Sequence, residues 1–114
     1  MAPSGPKATF NCAACERGAV VELLQSNRLR IEGGPVSMEI FPISTLSGRI
    51  DSALAAADAA ALFAINFEFA PFWCPECAAC YCAQHYRRSD VYDGIFFDCA
   101  RGTCPNGHER MLID

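Results

Sequence analysis

Apolar positions recur along this chain in two rhythms, and a third region has little rhythm but a dense set of cysteines. Residues 19–24 and 29–32 are apolar-rich runs on either side of the polar turn Gln25-Ser26-Asn27, the pattern of a β-hairpin. Gly33-Gly34-Pro35 then breaks the chain. Residues 36–43 alternate well enough to predict a third strand, which Pro42 confines to a sheet edge. In an alanine-rich segment Ile50, Leu54, Ala57, Ala61, Leu62 and Ile65 recur at helical spacing, so one amphipathic helix is predicted over 50–65 with Asn66 as its stop. Phe67-Glu68-Phe69 reads as a short extended passage. Residues 91–96 centre on Asp93-Gly94, a two-residue hairpin signal, and Met111-Leu112-Ile113 reads as a final short strand. Residues 1–9 are read as a flexible leader, being rich in Pro, Gly and Ser.

Composition narrows the class. A length of 114 residues allows one domain, placed at 10–114, with a modest core that would gain from an added staple. Eight cysteines could supply it as disulfides or as metal ligands. No apolar signal segment precedes them, which predicts a reducing cytoplasmic setting and metal ligation. The longest apolar region, residues 53–65, is interrupted by Asp58 and falls short of the roughly 18 residues of a membrane span. A net charge of -4 argues against broad binding to phosphate backbones. It outweighs the interleaved aromatics and cations at Tyr81, Tyr86, Arg87, Arg88 and Tyr92, so nucleic acid is disfavoured as a partner. Lys7 is the sole lysine, which leaves no good candidate for a catalytic amine.

The chemistry lies in four ligand pairs, Cys12/Cys15, Cys74/Cys77, Cys82/His85 and Cys104/His108. A gap of two or three residues lets both side chains converge on one ion from a tight turn, at about 2.3 Å for sulfur and about 2.0 Å for nitrogen. Eight ligands make two tetrahedral zinc sites. Two pairings each give Cys3His twice. In the interleaved one, Cys12, Cys15, Cys82 and His85 share an ion, and Cys74, Cys77, Cys104 and His108 share the other. In the sequential one, Cys74, Cys77, Cys82 and His85 share an ion and the outer pairs share the second. Interleaving is favoured because only four residues separate Cys77 from Cys82, tight for one ion and natural for two neighbouring ions. Cys80 and Cys99 are left over and read as small buried hydrophobes. Glu76 and Glu109 lie near the ligands, but their spacing specifies no general base, so structural zinc is favoured over catalytic zinc.

This order of ligand pairs, with Pro105 directly after the seventh ligand, resembles the RING finger family, whose members bind two zinc ions in a cross-brace and act as ubiquitin ligases. The resemblance implies a small α+β domain built on a zinc cross-brace, and the strands and helix read from the sequence at about 19–70 would form an insertion between the first and second ligand pairs. It further implies docking of a ubiquitin-conjugating enzyme and transfer of ubiquitin or a ubiquitin-like protein. Arg110, two residues after the last ligand, matches the place of the family's bridging arginine, and Phe72, Trp73 and Pro105 would line the groove for the partner. The chain departs from the family in its long first gap, in the absence of a Cys-x-His step in the middle, and in Ala13 and Ala14 where a larger aliphatic residue is usual. The segments 74–85 and 104–112 also look like those of small uncharacterised bacterial zinc proteins, a likeness that carries no activity with it. The competing expectation is a non-enzymatic, zinc-stabilised protein-interaction module, which an unbroken apolar patch with no ligase activity would support.

Overall fold

Strict alternation builds the first sheet. Strands β1 (Lys7–Asn11), β2 (Gly18–Leu24), β3 (Arg28–Glu32) and β4 (Met38–Ile40) form an antiparallel meander in sequence order. Ala8 and Phe10, then Ala19, Val21 and Leu23, then Leu29 and Ile31 are all buried on one face, as the two-residue period of a half-buried strand requires. The register puts Phe10 opposite Ala19 and Val21 between Ala8 and Ile31, so the buried side chains form continuous rows. The computed structural model describes residues 5–114.

Part of the expected leader belongs to this sheet. Lys7, Ala8 and Thr9 open β1, because Ala8 alternates into the core even though its neighbours are polar. Residues 1–4 of that leader lie outside the described residues. The predicted β2–β3 hairpin forms, with Ser26 and Asn27 at positive φ in its turn. The third strand is shorter than 36–43, and it lies at the sheet edge as Pro42 requires.

The single predicted helix is two. Helix α1 (Ser47–Ala55) and helix α2 (Ala59–Ile65) are separated by Ala57, which adopts a left-handed φ of 50°. Asp58 causes the restart: its carboxylate accepts the N–H of Ala61 at 3.0 Å and so caps α2. Ile50, Ala53 and Leu54 of α1 and Ala59 and Leu62 of α2 join the buried side chains of the sheet in one apolar core. Residues 67–69 are a 3-10 turn instead of an extended passage, because the Asn66 side chain accepts the N–H of Glu68 at 2.9 Å.

The second half is thinner. Strands β5 (Trp73–Cys74) and β6 (Ala79–Cys80) form a two-residue ladder. Strands β7 (Arg87–Asp93), β8 (Phe96–Thr103) and β9 (Glu109–Ile113) form a separate antiparallel sheet in that order. Asp93 pairs with Phe96, so the two turn residues are Gly94 and Ile95, one step beyond the Asp93-Gly94 centre expected. Gly94 takes the positive φ of 64° that the first position of such a turn favours. Beneath this sheet Tyr86 and Leu112 pack with Cys12, Cys74, Cys82, Cys104 and Val36. Gly102 permits the close approach, since a Cβ there would lie 2.8 Å from Leu112. Among the described residues no helix is long and apolar enough to cross a membrane.

Candidate metal centres

The loop between β1 and β2 makes the first knuckle. Cys12 donates its N–H to the Arg17 carbonyl at 2.7 Å and accepts from the Glu16 N–H at 2.8 Å, while Glu16 turns the chain at a φ of 68°. The turn at 82–86 faces it, with the N–H groups of His85 and Tyr86 both donating to the Cys82 carbonyl. Ala13 donates to the Cys80 carbonyl at 2.8 Å and so ties the two segments together. As a result Cys12, Cys15, Cys82 and His85 place their ligand atoms within 4.8 Å of one another. This first centre joins the apolar half of the molecule to the second half.

The second centre lies wholly within the second half. Cys74 ends β5 and Cys77 follows in the link to β6, where Ala78 has a φ of 51°. Cys104 follows β8, Gly107 reverses the chain at a φ of 86°, and Cys104 donates its N–H to the His108 carbonyl at 3.0 Å. The ligand atoms of Cys74, Cys77, Cys104 and His108 again lie within 4.8 Å. First and third pairs therefore meet, as do second and fourth, which is the interleaved grouping.

Both sets of four have the dimensions of a tetrahedral shell. Bonds of about 2.3 Å to sulfur and about 2.0 Å to nitrogen imply edges of about 3.8 Å between sulfurs and about 3.5 Å from sulfur to nitrogen. The observed edges are 3.5 Å for Cys15–Cys82 and 3.7 Å for Cys77–Cys104. The His85 Nδ1 lies 3.6 Å from Cys12 and 3.2 Å from Cys82, and the His108 Nδ1 lies 3.8, 3.3 and 3.4 Å from Cys74, Cys77 and Cys104. These sulfurs are far beyond the roughly 2.05 Å of a disulfide, and every cysteine is a free thiol. Each cluster can hold one metal ion through three sulfurs and one nitrogen.

The surroundings differ between the two centres. At the second, the Asn106 amide donates to the Cys77 sulfur at 3.1 Å, the His108 N–H donates to Cys104 at 3.3 Å, and the Glu76 carboxylate lies 3.1 Å from the His108 Nε2. Hydrogen bonds from the Tyr81 hydroxyl and then from Asn106 pull the Cys77 thiol down to about 6. Burial pushes Cys74 up to about 11. At the first centre Ala14 donates its N–H to Cys12 at 3.4 Å. Burial raises Cys82, but His85 and the backbone N–H groups of Gln84 and His85 outweigh it, and the thiol is lowered to about 6. Cys80 and Cys99 belong to neither cluster. Cys99 is buried on β8, and burial of the half-exposed Cys80 pushes its thiol up to about 11.

Several residues expected at a partner surface face inward. Phe72 is 1% exposed and stacks on Phe10 with ring centroids 4.9 Å apart, so it is core and lines no groove. Trp73 packs half-buried against the same core, and Pro105 alone of the three is exposed. The guanidinium of Arg110 donates to the carbonyls of Trp73 (2.7 Å), Phe67 (3.0 Å) and Ala70 (3.2 Å) and lies 4.9 Å from the Phe63 ring centroid. An arginine so engaged is a brace between the 67–73 segment and β9, and it has little left to offer a second molecule. Tyr81 and Tyr86 are buried, which removes the aromatic half of the nucleic-acid pattern and leaves Tyr92 exposed. Sequence spacing raises Glu76 only as a general base, whereas the fold sets it against a metal ligand. Its place inside the Cys74-x-x-Cys77 turn is the available sign that its carboxylate sits at that centre.

Residues 4–114 match the family model described as a domain of unknown function (DUF8328). No curated protein and no solved structure matches the chain.

Proposed function

The chain belongs to the DUF8328 family over nearly its whole length, and for it we propose a non-enzymatic protein-interaction module whose two Cys3His centres hold structural zinc. The observation that carries this reading is an exposed apolar tip on a hairpin whose two ends lead into the two Cys/His clusters. Tyr92, Ile95, Phe96 and Phe97 are exposed at the turn of the β7–β8 hairpin, with Ile95 at 90% and Phe96 at 73%. The arm begins two residues after His85 and ends immediately before Cys104, and Arg87 pairs with Thr103 at its base. One strand is thus anchored at each centre. Borderline-soft zinc suits three thiolates and one imidazole, with no redox role and no open coordination position to fill.

The test pairs metal content with surface substitution. The zinc-loaded protein is expected to retain a partner from its native host that the double variant Ile95→Asp, Phe96→Asp loses and that Phe41→Ser, on the exposed edge beyond β4, retains. Equal retention by all three proteins defeats the role assigned to the arm. The interleaved grouping favours a second reading, the RING-type ligase. Under it, adding the protein accelerates discharge of a ubiquitin-charged conjugating enzyme, and such acceleration replaces the module reading. No discharge above background removes the ligase reading.

A further inference from the structure

The two centres have the same donor set but different support. At the second centre, a carboxylate and an amide from two separate turns surround the ligands. The contact between Glu76 Oε2 and His108 Nε2, at 3.1 Å, leaves Nδ1 aimed at the three sulfurs. A carboxylate in that position fixes the imidazole tautomer and ring plane and raises the basicity of the coordinating nitrogen. At the first centre, among the described residues, His85 has no carboxylate within ion-pair distance. Exposure runs the same way. Cys15 of the first centre is exposed, whereas the cysteines of the second are buried or half-buried. The connectivity agrees as well, since the first centre joins the β1–β2 loop to a turn some 70 positions away, whereas the ligands of the second lie within about 34 positions of one another, on one sheet and its neighbouring ladder.

We infer that the centres are unequal in metal retention: Cys74/Cys77/Cys104/His108 releases its ion more slowly, with Glu76 as the positioning residue for His108, and Cys12/Cys15/Cys82/His85 exchanges first. This rests on the reading that both clusters bind zinc. A competing thiol or chelator enters at Cys15, displaces the thiolates one at a time and removes the ion as its own complex, with no change of oxidation state. Loss of the first ion unties the β1–β2 knuckle from the 82–86 turn and leaves the second sheet metal-braced.

The experiment is native mass spectrometry of the full chain during a graded titration with a chromogenic zinc chelator, combined with alkylation and peptide mapping at each step. Two zinc ions per chain at the outset are required. Any other number overturns the two-centre reading itself, whatever the order of release. The expected course is accumulation of a one-zinc species in which Cys12, Cys15 and Cys82 are alkylated while Cys74, Cys77 and Cys104 are protected. Release of both ions in one step, or alkylation of the second set first, overturns the inference and leaves the centres standing. Glu76→Ala is expected to speed loss of the second ion by about 10–100-fold, with Glu76→Gln in between because its amide oxygen still accepts from Nε2–H. The Glu76 side chain is 65% exposed, so neither variant removes core packing. An unchanged second release rate in Glu76→Ala overturns the role of that residue.

Discussion

Residues 5–70 and residues 71–114 are held together by different means. In the first part Val21, Leu29, Ile31, Ile50, Leu54 and Leu62 are sealed from solvent in a hydrocarbon core between a four-stranded sheet and two helices. In the second the corresponding interior consists largely of Tyr86, Leu112 and ligand cysteines, while β7 is exposed along almost its whole length. Burying a Leu side chain gives about 1.5–3 kcal/mol. A bound structural zinc gives about 10–16 kcal/mol in small zinc-finger peptides. A sheet of three strands with one buried face can therefore dispense with a thick core if two ions are tied to its base. The apolar half contributes hydrophobic area, and the ligand half contributes a scaffold able to project an arm.

The largest effect that would break this comparison is metal removal. Chelation is expected to abolish protection of the backbone amides in β7, β8 and β9 while those of β2 and β3 persist, as read by hydrogen exchange, and to shift the fluorescence of Trp73, which lies between the halves. Simultaneous loss of protection in both sheets would show one cooperative unit instead of two. Next in size, Leu54→Ala is expected to cost about 2–5 kcal/mol by leaving a cavity under the first sheet, visible as a lower urea midpoint with zinc stoichiometry still at two. Arg110→Met removes donors from three carbonyls and should cost about 1–3 kcal/mol. It sharpens the comparison because that guanidinium spans the two regions, and it should leave metal content unchanged. Asp58→Ala is the smallest, about 1 kcal/mol from the lost cap on α2, confined to the apolar half and checked by thermal unfolding of the zinc-loaded protein.

Much of the ligand half was legible because ligand chemistry demands particular residues at particular gaps. All eight expected ligands converge, in the grouping that the four-residue link between Cys77 and Cys82 favours. The β2–β3 hairpin was legible for a similar reason, since apolar runs about a polar turn leave few alternatives. What escaped depends on contacts across the fold. Alanine suits a continuous helix, and only the choice of Asp58 to bond the Ala61 N–H divides 50–65 into two. Arg110 sits beside the last ligand in sequence, but its direction is set by the carbonyls of residues 67–73, some 40 positions away. Phe72 is adjacent to Trp73 and to a knuckle, yet its ring belongs to Phe10 of the first strand. Spacing can identify a metal ligand, but it does not say which way a neighbouring side chain turns.

The interleaving also imposes an order on biosynthesis. Cys12 and Cys15 leave the ribosome long before their native partners Cys82 and His85, and Cys74 and Cys77 emerge in between. Those four early thiols already make a complete all-thiolate shell for zinc. From Cys77 to His85 is eight residues, or about 0.4–1.6 s of synthesis at about 5–20 residues per second. An ion captured in that interval would be shared by two pairs that belong to different clusters in the folded chain, and the native grouping would then require that ion to be released or passed on.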